Sequence, residues 1–145
     1  MSALTALSRW FAPHTVARAH CDIPCGIYDP HGAEIAARTV ARMVELIGQL
    51  PAVDDAPPTL ADRNKFVRYV ATKEQHAELV KREVQVIWSD YFKPEHLERF
   101  PDLHATVWQI LKLAGKNKQS VDAEAAAQLE AAVKSFGEMF WATKQ

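Results

Sequence analysis

Four stretches of this chain repeat their apolar residues three and four positions apart, and none alternates them with period two over a useful length. The first runs from about Gly32 to Leu50, with Ile35, Val40, Met43, Val44, Ile47 and Leu50 in register. The second starts from a cap at Thr59 or Asp62 and reaches about Phe92, through Phe66, Val67, Val70, Leu79, Val80, Val84, Ile87, Trp88 and Tyr91. The third covers about Asp102 to Ala114, with Leu103, Val107, Ile110 and Leu111 inward and Gly115 as its stop. The fourth follows a cap at Asp122 and carries Ala125, Leu129, Ala132, Val133, Phe136 and Phe140. Such spacing describes helices that bury one side. Proline separates them: Pro51, Pro57 and Pro58 frame a rigid polar loop, and Pro94 and Pro101 bracket a short linking turn. Lys116 to Ser120 reads as a loop. At 145 residues the chain is one domain with one core. The predicted fold is all-α, an antiparallel four-helix bundle.

What precedes the bundle is irregular. His20-Cys21-Asp22-Ile23-Pro24-Cys25-Gly26-Ile27-Tyr28-Asp29-Pro30 gathers an imidazole and the chain's two thiols within six residues. A disulfide between cysteines four apart closes a loop too short to stabilise much, so the thiols read as ligands or redox groups. A structural zinc site wants four side-chain ligands in separated pairs, and this segment offers three. Square-planar nickel can make up the number with backbone nitrogen, since soft thiolates and imidazole suit it. Cleavage before His20 would free an α-amine as one donor. The Cys21 amide would be a second, both thiolates would complete the plane, and the His20 imidazole would lie axial. Pro24 fixes φ before Cys25, while Gly26 tolerates a positive value after it. Asp22 and Asp29 can order the turn by accepting backbone N–H bonds. Tyr28 can bring a phenol over the open metal face.

Residues 1–19 differ from the rest. They carry Arg9 and Arg18 and no acid, so their removal would take the net charge from −1 to −3. Arg9 interrupts the apolar part, and no charged side chain precedes it, unlike a secretory signal. The segment is expected to be a leader removed for maturation rather than export, leaving a domain of residues 20–145. An ordinary amphipathic first helix is the alternative. A net charge of −1 implies no basic face for nucleic acid. No apolar run approaches the roughly 18 residues a membrane helix needs. The other histidines, at 14, 31, 76, 96 and 104, form no metal-binding spacing.

The string from His20 to Pro30 resembles the nickel hook of nickel superoxide dismutases. Trp88-Ser89-Asp90-Tyr91-Phe92-Lys93-Pro94, continuing to His96, Leu97, Phe100 and Pro101, is similar to a second segment of that family, and so is Phe140-Trp141-x-Thr143-Lys144. The resemblance implies superoxide dismutation by cycling one nickel ion per subunit between its divalent and trivalent states, after cleavage before His20. It implies nickel bound by the amine and imidazole of His20, the amide and thiolate of Cys21 and the thiolate of Cys25. Tyr28 would guard access, Tyr91 would join it in holding solvent, Asp90 would support them, and Lys93 would draw the anion inward. A cytoplasmic homohexamer, a leader-cleaving peptidase and a nickel chaperone are also implied. The family's Glu on the first helix and Arg on the second fall here on Ala36 and His76; Glu34, His31 or a backbone carbonyl could stand in for them. A non-catalytic nickel- or copper-binding helical protein is the competing expectation.

Overall fold

A computed structural model of the protein describes residues 26–52 and 57–145. Among the described residues there is no β-strand. Helix α1 spans His31–Gly48, α2 Leu60–Val86, α3 Pro94–Arg99, α4 Leu103–Gln119 and α5 Ala123–Ala142; a π-turn, Ile87–Tyr91, continues α2. Helices α1, α2, α4 and α5 form the bundle in a ring, each packed on two neighbours. The all-α, four-helix expectation therefore holds.

Helix α1 buries Ala33, Ala36, Ala37, Val40 and Val44. This stripe is one step round from the one its large residues suggested, and Ile35 is half exposed. Three alanines in the stripe bring α1 close to its neighbours, so small size decides which side faces in. Helix α2 opens on a capping box, with Thr59 and Asp62 bonded reciprocally. Its 27 residues span about 40 Å. The first turns project past the core, which leaves Leu60, Phe66 and Val67 exposed. Leu79 is also more exposed than its spacing predicts. Phe136, Phe140, Ile87, Leu103, Ile110 and Leu129 fill the interior with valines around them.

Three expectations are corrected. Gly115 does not stop the third bundle helix, and of the expected loop Lys116 to Ser120 only Ser120 leaves the helix: α4 continues to Gln119. The cause lies far away in sequence. The Lys73 ammonium, 1% exposed, donates to the carbonyls of Asn117, Lys118 (3.2 Å) and Ser120 (3.0 Å). The buried Asn117 amide donates to Leu113 O and Ala125 O, both at 3.0 Å. A cation suits a helix carboxyl end, and this one fixes where α4 stops. Burial holds the Lys73 amine below its ordinary pKa. The Pro94–Pro101 segment, expected as a turn, holds α3, which Pro94 opens at its first helical position.

Candidate metal centre

His20, Cys21 and Cys25 lie outside the described residues, and so do Asp22 and Pro24. The first described residue, Gly26, has φ +72°. That is the left-handed conformation glycine adopts without strain. The chain then turns into α1, where the Asp29 carboxylate accepts the His31 N–H at 2.9 Å. Tyr28, only 9% exposed, belongs to the core. The root of the hook is thus held by a buried tyrosine and by the Asp29–His31 hydrogen bond.

Tyr28 packs on Tyr91, with ring centroids 5.6 Å apart and planes inclined at 54°. The two are far apart in sequence, and the π-turn brings them together. A π-turn inserts one residue into a helix, and such turns are frequent at functional sites. Here the Phe92 N–H reaches back to Ile87 O at 3.3 Å. The Trp88 indole N–H donates to His104 Nδ1 at 2.9 Å, tying the π-turn to α4. Tyr91 also meets Phe140 at 4.5 Å and Phe92 at 5.3 Å, and lies nearly parallel to His96 at 5.7 Å. Its phenol is 2.5 Å from the Thr143 hydroxyl. The Lys144 ammonium sits 4.5 Å from its ring centroid, an attractive cation–π placement.

The structure joins Tyr28 and Tyr91 directly. Asp90 is exposed, and its carboxylate, at 2.7 Å, shares the single Ser89 hydroxyl proton with the Gln85 carbonyl at 2.8 Å. Lys93 is also exposed; its backbone N–H donates to His96 Nδ1 at 3.1 Å. Ala36 is fully buried. The His76 Nδ1 lies 2.9 Å from Thr72 O, so its proton is spent on its own helix. Glu34 pairs with His31 at 3.6 Å and lies against Gly137 of α5. A different carboxylate stands at the start of α1: Glu83 of α2 lies so near Gly32 that a Cβ there would be 2.9 Å from Oε2. Sequence reasoning passed over Glu83, because no helical period shows which α2 residue meets the first turn of α1.

Comparison with known proteins decides the family. Nickel-containing superoxide dismutase matches residues 15–144. The chain belongs to that family. Membership makes it an oxidoreductase with a nickel cofactor and superoxide as substrate, and the non-catalytic alternative is not favoured. The enzyme is 39% identical to Superoxide dismutase [Ni] of Streptomyces seoulensis over 139 residues, covering 96% of this chain and 98% of that one. It is 40% identical to the Streptomyces coelicolor protein of the same name, with the same coverage. A native nickel superoxide dismutase structure at 1.30 Å superposes with TM-score 0.74 at 38% identity, covering 87% of this chain and all of that one.

Proposed function

We propose that the enzyme acts after residues 1–19 are removed, with nickel held by the His20 amine and imidazole, the Cys21 amide and thiolate and the Cys25 thiolate. The observation that carries this reading is the meeting of Tyr28, at the root of the hook, with Tyr91 at the end of the π-turn. It sets the Tyr91 ring against a tyrosine that follows Cys25 by three positions in the sequence. The donor set suits the metal, since imidazole and thiolate fit nickel and too few side chains are present for structural zinc. When bound, nickel supplies the one-electron couple, and anionic sulfur and nitrogen donors make its higher state accessible.

The chain's own residues do the rest. Two superoxide anions and two protons give one oxygen and one hydrogen peroxide, so the site must admit an anion and supply protons. Tyr28 and Tyr91 narrow the approach and order solvent there. Asp90 holds the π-turn surface through Ser89, and Lys93 adds positive field for a small anion. The coverage figures support removal of the leader. The Streptomyces relatives align with 96% of this chain. A native structure, matched in full, takes only 87% of it. A peptidase and a nickel chaperone belong to this reading. So does a cytoplasmic homohexamer, in which contact between copies would cover the exposed Leu60, Phe66, Val67, Trp108 and Trp141. No described helix is long and apolar enough to cross a membrane.

Cys21→Ser and Cys25→Ser are expected to abolish dismutation in protein exposed to nickel, because a hydroxyl is no soft anionic donor. Full activity in either variant would refute the ligand assignment. Mass spectrometry of active protein from its host should find His20 first, and a Met1 start would contradict the leader.

A further inference from the structure

The short contact between the Tyr91 phenol and the Thr143 hydroxyl has a direction that can be worked out from its neighbours. Thr143 has a single hydroxyl proton, and its oxygen also lies 2.6 Å from the Phe140 carbonyl. A carbonyl only accepts, so the Thr143 proton goes there. The proton between Tyr91 and Thr143, 2.5 Å apart, must then be the phenol's. Tyr91 donates into the last turn of α5, and the lone pairs left on its oxygen can only accept. The ring has little freedom to change this. Lys144 lies 4.5 Å from its centroid, Phe140 packs at 4.5 Å, and His96 stacks at 5.7 Å with an 18° tilt.

We propose that Thr143, helped by Lys144, is a positioning residue for dismutation: it takes the Tyr91 proton, so that this phenol meets the species beside Tyr28 as a hydrogen-bond acceptor only. The inference rests on the reading that Tyr91 acts beside the metal. Superoxide has no proton to donate, whereas water and hydrogen peroxide do. An acceptor-only phenol orients a proton-bearing solvent or product molecule and offers the bare anion no donor. The protons of peroxide therefore come from solvent and not from Tyr91, whose own proton is tied to α5.

Ultraviolet resonance Raman spectroscopy of the purified nickel protein tests this, because the tyrosine doublet near 850 and 830 wavenumbers distinguishes a donating phenol from an accepting one. Subtracting the spectrum of Tyr91→Phe isolates Tyr91 from the chain's other two tyrosines. The wild-type difference should show the donor pattern. Thr143→Val should lose it, and the dismutation rate should fall about fivefold, the worth of one ordinary hydrogen bond. Thr143→Ser should keep both, which separates loss of the hydroxyl from misfolding. A donor pattern that survives in Thr143→Val, or an acceptor pattern in the wild type, overturns the hydrogen-bond assignment. If the Raman results are as expected but Tyr91→Phe dismutates at the wild-type rate, the role of Tyr91 fails, and the positioning role of Thr143 fails with it.

Discussion

Each end of the bundle closes the carboxyl terminus of a helix with a cationic side chain from another helix, and the two closures differ in depth. At the end remote from the hook, the Lys73 ammonium is buried among carbonyls of α4 and Ser120. At the hook end, Arg99 of α3 is exposed and donates to Ala142 O of α5 at 2.7 Å. A buried ammonium cannot be replaced by water when it is removed, so its carbonyls are left unmet. An exposed guanidinium can be replaced. The remote end is therefore built for stability. The hook end keeps its π-turn, short helix and aromatic cluster under weaker ties, where side-chain placement matters more than total strength.

The largest test of that contrast is Lys73→Met. It should cost about 3 kcal/mol, from several carbonyls losing their donor in a buried place. A urea denaturation series measures it, and the rate per folded, nickel-loaded molecule should stay near wild type. A loss under about 1 kcal/mol would show that water reaches those carbonyls. Arg99→Ala should cost only about 0.5 kcal/mol, the low end for a hydrogen bond, because water can take its place at the exposed Ala142 carbonyl. Because it loosens the turn that carries Thr143, it should still lower the dismutation rate; an unchanged rate would uncouple the α5 terminus from Tyr91.

These two cations also mark how far the sequence could be read. The four helices were legible because each repeats enough apolar residues to declare its period. The hook was legible because an imidazole and two thiols within six residues leave few chemical roles. The end of α4 was not: Gly115 looks like a stop, and the lysine that carries the helix past it lies 44 residues from Asn117. The π-turn was not either. Nothing in Ile87 to Tyr91 requires an extra residue in the helix; the packing of Trp88 on His104 and of Tyr91 on Tyr28 goes with it. The inward stripe of α1 was misjudged because alanine weighs little in an apolar count, yet its smallness governs close packing. The ligands themselves lie outside the described residues, so the structure bears on the hook through Tyr28 and what Tyr28 touches.

The smallest expected effect is an acid one at the remote end. The Lys116 ammonium, 2.7 Å from Asp122, and the Ala125 N–H hold the Asp122 carboxyl below its ordinary 3.8. The folded state then binds fewer protons than the unfolded one. The contribution is complete above pH 3.8 and is lost as pH falls through the folded value. Asp122→Asn should slightly flatten the fall in urea midpoint below about pH 4. An acid limb identical to wild type would mean that the pair contributes nothing.

The central claim is that the metal site is complete only when His20 begins the chain. Electron paramagnetic resonance of nickel-loaded protein tests it most directly, with and without residues 1–19. A chain beginning at His20 should give a nickel(III) signal split by a nitrogen donor, and the chain retaining Ala19 should give none. The same signal from both chains would contradict the claim.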